Sequence, residues 1–595
     1  MTAGLSFLSI GRHGAQRFIR QTFLAWACFL GMALPAMAVN YYVDFVGGSD
    51  ANTGLGPSSA FKYCPGDMGA TLNSLAARLH AGDNVYFKKG VIYQGQQIIA
   101  QGGDLVLEGH SGHIAQGGVL SDALVNYTLN GVRAGDLTYV YNSDITGALV
   151  DQVGVWNVSS VSTSTSLVLS NWNGLLSAST NLAYRIVRPV NYTSLVGWGA
   201  GEARISGSGV LEYVFRLDDA IHLSNLVFEN SKNIPGSGCL SGVNLGTIWD
   251  NNHRENVFLD NVTISNVWAG FRCDDLWYSA VRNCVVRDFD HIGITGGRYS
   301  LVEGNIITNG TSAIRGCGRL SVTRYNSIRN CNKLSTTVCN AHGDGIGPFF
   351  SPNSEPGSNV GGWVYANLIE NTVEGMFLSY ENGGTSDWVF HSNILIGNYG
   401  NPGGSGDAAV LLSGHNNRTR IYNNLIFGLN GSSGWVRALS IDESAAISGP
   451  SRDVQFMNNI IWSVAANPPG IIRMDPTTQL RSEGNIIYVP NGSPKFRIGT
   501  APLIDLATWK SLGFDNSGHT FVMDPQLQDV VGLKYEDLNL QARVGTLVAT
   551  PFVLGTSFRD FGRSTVLNQP TVLPGPYQVA RQLPPTPTNV RVVNP

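Results

Sequence analysis

One short motif recurs along the chain and limits what it can become: an asparagine followed by mostly apolar, β-branched residues. It reads NLVF at Asn225, NVTI at Asn261, NCVV at Asn283, NIIT at Asn305 and NSIR at Asn326. It returns as NLIE at Asn367, NILI at Asn393, NLIF at Asn424, NIIW at Asn459 and NIIY at Asn485. Successive steps are 36, 22, 22, 21, 41, 26, 31, 35 and 26 residues, so the shortest define a unit and the longer ones are that unit with an insertion. A period near 22 residues, built from β-branched runs without helical periodicity, is the signature of a β-solenoid. Asparagines at one corner of every turn are expected to stack, each side-chain amide bonding the next. A leucine-rich repeat has a similar period, but its Leu/Asn consensus is absent.

The pattern resembles the right-handed parallel β-helix family, the pectate-lyase-like superfamily of exported bacterial proteins, over roughly Leu226 to Val489. The resemblance implies an all-β fold, a right-handed single-stranded parallel β-helix. It also implies carbohydrate-active chemistry of the kinds its members perform, as polysaccharide lyases, glycoside hydrolases or epimerases. The tighter signatures of these enzymes are missing: there is no DPHD of the mannuronan epimerases and no NTD…GHG set of the polygalacturonases. The nearest approaches are CDD at Cys273 and HGDG at His342.

The flanks divide the chain. Arg12, Arg17 and Arg20, the apolar run Phe23 to Leu34 and Ala36-Met37-Ala38 read as an export signal over residues 1–38. Residues 39–119 read as N-terminal strands with a helical cap over Thr71 to His80, and 120–193 as an inserted β-rich module. The coil follows over 194–500, a C-terminal cap region over 501–580 and a Pro-rich tail over 581–595. No later segment is long and apolar enough to span a membrane, and a monomer is expected. Cys64, Cys239, Cys273, Cys284, Cys317, Cys331 and Cys339 remain after the signal, without a CxxC, and Cys331 with Cys339 is a candidate clip. Charged residues make up 13% and the net charge is −4, which excludes a dedicated nucleic-acid binder.

A second strand aligns on a small residue in each turn: Gly270, Gly293, Ala313, Gly345, Gly375 and Ala409. The position before that anchor holds Ala269, Ile292, Ser312, Asp344, Glu374 and Ala408, so Asp344 and Glu374 are expected to be neighbours. Two places after it come Arg272, Thr295 and Arg315, which puts the arginines two turns, or ~9–10 Å, apart. His291 and Asp407 lie one position earlier than the carboxylates, and His342 sits inside the longest step. From Arg272 to Lys333 the chain carries eight Arg and one Lys against five acidic residues, a local excess suited to an anionic substrate. Arg282, Arg287, Arg324 and Arg329 are expected on outward corners, serving solubility.

Two chemistries suit this patch. Elimination from a uronic-acid polymer needs a cation on the sugar carboxylate, a base for the adjacent proton and an acid for the leaving oxygen. Arg272 or Arg315 fits the first role, His342, His291 or Lys333 the second, and Tyr380 the third. Alternatively, Asp344 and Glu374 form a glycosidase pair, since adjacent carboxylates split their pKa values into an acid and a base. Trp268, Lys333, Asp290 and Asp407 are expected to line the substrate groove; Trp249, Trp277 and Trp388 read as packing residues. No cofactor motif is present, and Asp274 with Asp275 is a candidate Ca²⁺ pair. The expectation is a secreted enzyme cleaving a polysaccharide, first as a lyase and second as a hydrolase. A non-catalytic adhesin or scaffold is the third reading.

Overall fold

The computed structural model describes residues 38–525 apart from 116, 146–149, 171–178, 212, 232–246, 333–342, 348–359, 380–384, 398–407, 431–434, 443–449, 466–467, 469, 491 and 516–519, and four two-residue strands between 550 and 572. The export signal and Cys239 and Cys339 therefore lie outside the described residues. The chain is a parallel β-helix: three long parallel sheets run side by side, and each turn contributes one strand to each. Sheet I begins with Asn40–Val43 and Asn84–Phe87 and ends with Leu480–Glu483. Sheet II runs from Ile92–Gln94 to Phe521–Val522, and sheet III from Ile98–Ile99 to Lys495–Ile498 and Ile504–Asp505. Valines, isoleucines, leucines and phenylalanines from all three sheets meet in one continuous core. Burying each such side chain contributes roughly 1.5–3 kcal/mol.

The asparagines divide into two sets, which corrects the single corner expected from the sequence. Asn305, Asn326, Asn367, Asn393, Asn424, Asn459 and Asn485 form a buried spine, each Nδ2 donating to the next Oδ1 at 2.9–3.2 Å. The same oxygens accept the backbone N–H of the preceding asparagine at 3.0–3.1 Å. Asn225, Asn261 and Asn283 instead adopt φ of 55°, 55° and 54°, one residue before the spine position. Pairing of Val227 with Thr263, Val285 and then Ile306 gives the spine position to Leu226, Val262 and Cys284 in those turns. Asparagine suits both places, because it tolerates the left-handed region and carries both an amide donor and an acceptor. Similar strings therefore conceal a shift of one residue.

The spine carries a stability prediction. In Asn393, Oδ1 accepts two N–H groups of Asn367, while Nδ2 donates to Asn424 and to the Val364 carbonyl at 3.0 Å. Asn393→Ala strands those partners away from water, and urea unfolding should register a loss of roughly 2–4 kcal/mol.

The two ends of the coil differ. The N-terminal helix is shorter than expected, Leu72–Ala76, with Leu72 and Leu75 exposed; Leu79, in the extended stretch after it, joins the core instead. At the far end Leu506–Ser511 is a helix capped by Asp505, whose side chain accepts from Thr508 N at 2.8 Å. It lays Trp509 between Phe496 and Phe514, at 4.7 and 4.2 Å between ring centres. Among the described residues no helix is long and apolar enough to cross a membrane.

Between the first and second turns the chain leaves the coil and builds a closed six-stranded antiparallel barrel from Asp104–Ala115, Val119–Ser121, Leu137–Tyr141, Gly154–Thr163, Ser166–Leu169 and Ser179–Arg188. Its outer side packs Leu137, Tyr139, Tyr141, Val150, Val153 and Val155 on the outer face of sheet I. Arginines fasten it. Arg324 is buried and donates to the Val150 and Val153 carbonyls at 3.0 and 2.8 Å, and Arg282 donates to the Val155 carbonyl at 3.0 Å. Arg185 of the barrel bonds Glu255 of the coil at 2.7 Å and stacks over Tyr278 at 3.6 Å. The expectation that Arg282 and Arg324 are solubility residues is thus corrected: both lie under the barrel, which sequence spacing alone does not reveal. Arg287 is exposed, and Arg329 lies 3.4 Å from Glu370.

Candidate functional site

With the barrel against sheet I, sheet III presents the face on which titratable side chains converge. Its register follows the small-residue anchors. Ile294 pairs with Ile314, Ile314 with Ile346 and Ile346 with Met376, all of them core residues, while Asp344 pairs with Glu374. The anchors must be small: a Cβ on Gly345 would lie 2.5 Å from the Gly375 carbonyl oxygen and 2.6 Å from Ile369. This close approach of consecutive turns brings the two carboxyl side chains into contact.

Asp344 and Glu374 are hydrogen-bonded to each other, and Asp344 Oδ2 accepts from Arg315 Nη2 at 3.2 Å. Burial raises the Glu374 pKa first, the Asp344 charge and hydrogen bond raise it further, and Arg315 opposes them, so that it is pushed up to about 9. Glu374 therefore carries a proton at neutral pH. Neither Asp344 Oδ1 nor Glu374 Oε2 meets an N–H or hydroxyl donor among the described residues. A proton shared between the two carboxyls accounts for both oxygens. The pair is shielded from solvent, with Asp344 1% and Glu374 6% exposed.

The arginine side of the patch continues along the same sheet. Arg315 pairs in register with Thr295, one rung further from Arg272. Arg272 donates from Nε to Asp274 Oδ1 at 3.1 Å and from Nη1 toward His291 Nδ1 at 3.4 Å. His291 lies flat against Trp268, with ring centres 5.2 Å apart and 11° between planes. Burial, then the charges of Arg272 and Arg315, drive the His291 pKa down to about 3, so the imidazole is neutral at any ordinary pH. Trp268, His291 and Arg272 thus form one group, and Arg315, Asp344 and Glu374 a second on the same sheet, with Thr295 on the rung between the two arginines.

The remaining candidates fall elsewhere. His342, Lys333, Tyr380 and Asp407 lie outside the described residues. Asp290 is half-buried, and its backbone carbonyl accepts from Thr311 Oγ1 at 2.9 Å. Trp268 is buried beneath its stacking partner rather than open as a sugar platform, and Trp388 is wholly in the core. Asp274 and Asp275 do not converge. While Arg272 holds Asp274, Asp275 bonds His253 Nδ1 at 3.0 Å and Trp277 Nε1 at 2.6 Å. Among the described residues no three His, Cys, Asp or Glu side chains gather to hold a metal ion. His253, which also meets Glu255 at 3.1 Å, escaped sequence reasoning because a bulge in its strand shifts the pairing between Asp250 and His253.

No family model matches the chain, and no curated protein matches it. Solved structures do. The complex of XylC with xylose is 11% identical with a TM-score of 0.39, over 91% of this chain and 99% of that one. A rhamnogalacturonan lyase is 13% identical with a TM-score of 0.34, over 75% of this chain and 87% of its own. The catalytic unit of a GH87 α-1,3-glucanase from Streptomyces thermodiastaticus is 10% identical with a TM-score of 0.35, over 66% and 86%. At such distances the chemistry has to be argued from this chain's own side chains.

Proposed function

We propose that the chain is a polysaccharide lyase that cleaves an acidic, uronic-acid-containing polymer by β-elimination. The observation that carries this reading is the hydrogen-bonded Asp344–Glu374 pair, holding a proton on Glu374 and bound to Arg315. In the proposed reaction Arg315, assisted by Arg272, binds the sugar carboxylate and stabilises the negative charge that develops on it. Asp344 takes the proton from the carbon beside that carboxylate. The C–H electrons form the ring double bond, the neighbouring C–O bond breaks, and Glu374 gives its proton to the leaving oxygen. The proton gained by Asp344 then passes to Glu374 along their shared hydrogen bond, which restores the starting state.

The short contact favours elimination over hydrolysis. A base and an acid acting on adjacent atoms of one sugar face belong close together, whereas glycosidase carboxyls stand ~5–9.5 Å apart. Export of the protein, expected from its first 38 residues, agrees with a polymer that cannot enter a cell. The burial of the pair has a consequence for this reading: substrate must gain access to both carboxyls before reaction. That same burial favours the second reading, a non-catalytic scaffold in which the pair only joins two rungs.

Incubation with polygalacturonate, alginate and hyaluronan decides between them. The expected result is new reducing ends together with ultraviolet absorbance from the unsaturated uronate product, and a loss of about 10²–10⁴-fold in rate for Arg315→Ala. Reducing ends without absorbance point to hydrolysis; no cleavage across the panel supports the scaffold.

A further inference from the structure

Beyond the carboxyl pair, sheet III gathers a second group of charges that the sequence alignment, which stops at Ala409, does not reach. The column containing the pair continues through Ala408 to Arg437, placing Arg437 two rungs past Glu374. A column three residues further along the strands holds Arg315, Gly347 and, later, Leu411, Ser440, Arg473 and Arg497 in register. Arg473 and Arg497 are direct partners on adjacent strands, one rung or ~4.8 Å apart. Their neighbours Ile472, Met474 and Phe496 point into the core, so by strand alternation the arginines face outward. All three residues are half-buried. They sense one another: burial first, then the charges of Arg473 and Arg497, push the Arg437 pKa down to about 10.

We propose that Arg437, Arg473 and Arg497 form a carboxylate-binding subsite that grips an anionic sugar of the same polymer two to four rungs beyond the Asp344–Glu374 pair. This rests on the reading of the protein as acting on an acidic polysaccharide, and extends it with a second point of contact. The spacing from the Glu374 strand to Arg473 and Arg497 is three and four rungs, roughly 14–19 Å, a span that a short oligosaccharide bridges. Guanidinium forks bind carboxylates in two-point fashion, so the subsite selects a charged sugar over its neutral counterpart.

The test is affinity electrophoresis of the full chain through gels containing polygalacturonate, alginate or hyaluronan, and through gels containing the same polymers after carboxyl reduction. Arg473→Gln/Arg497→Gln should weaken retention in the uronate gels by about tenfold or more and flatten its salt dependence. KM should rise with kcat within about twofold of wild type, since the reacting groups are untouched. Arg497→Lys, which keeps the charge but loses the two-point fork, should bind more tightly than the double glutamine variant and less tightly than wild type, and an unchanged melting temperature shows that the variants fold. If wild type is retained but the double variant is retained equally, the subsite is overturned while the acidic-polymer reading stands. An equal loss on the carboxyl-reduced polymers also overturns it. If wild type is retained by no uronate gel, both readings fall.

Discussion

Glu374→Gln is expected to abolish most turnover of a uronate polymer, by about 10²–10⁴-fold in kcat, while the coil stays folded. Glutamine occupies the same volume and still bonds Asp344, but it has no acidic proton for the leaving oxygen. Asp344→Asn should lose activity comparably, because the proposed base is gone and Arg315 loses its carboxylate partner. The same variant predicts a change in how stability responds to pH. Glu374 has a folded-state pKa raised above its ordinary value, so the native state binds its proton more tightly than the unfolded chain. That contribution is fully present below the unfolded value, near pH 4.5, and is lost as pH rises through the raised native one. Wild-type melting temperature should therefore fall between mildly acidic and mildly alkaline pH, and Glu374→Gln should flatten that slope. A wild-type stability that rises over this window, or a variant that keeps the slope, removes the shared proton from the description of the site.

The second large effect belongs to the barrel. Arg324 reaches four partners: the Val150 and Val153 carbonyls, Glu303 Oε1 at 2.9 Å and Tyr365 Oη at 2.9 Å. Tyr365 in turn donates to Asp151 at 2.6 Å, so one guanidinium joins the barrel to the coil through both backbone and side chain. Arg324→Ala leaves the half-buried Glu303 carboxylate and two carbonyls without their donor, and should destabilise the protein by roughly 3–5 kcal/mol. Lysine should not rescue it, since an ammonium cannot direct separate N–H groups to Val150, Val153 and Glu303 at once. Denaturant unfolding measures the loss, and limited proteolysis should cut first within the barrel. A variant that resists both treatments like wild type would assign the docking to the apolar contacts alone.

Much of the coil was legible because a solenoid writes its period into the chain. The small anchors from Gly270 to Ala409 gave the correct register of sheet III, and with it the adjacency of Asp344 and Glu374. What the strings could not separate was the role of the asparagine itself. Asn283 and Asn305 sit in similar contexts, yet one takes a left-handed corner and the other the spine, and only the pairing of Val285 with Ile306 tells them apart. The arginines were misread for a different reason. Arg282 and Arg324 look solvated by spacing, but their partners are barrel carbonyls 127 and about 170 residues away, a contact no local pattern encodes. Arg437, Arg473 and Arg497 went unseen because the insertions between their turns hide the alignment.

The amide spine from Asn305 to Asn485 fixes the rise from one turn to the next and is indifferent to the circumference. Steps of 21 and of 41 residues both meet the same pair of hydrogen bonds at their ends. Pitch and perimeter are thus inherited separately. A descendant of this chain can rebuild the rim around its carboxyl pair by lengthening one turn at a time, while the axle inside keeps its gauge.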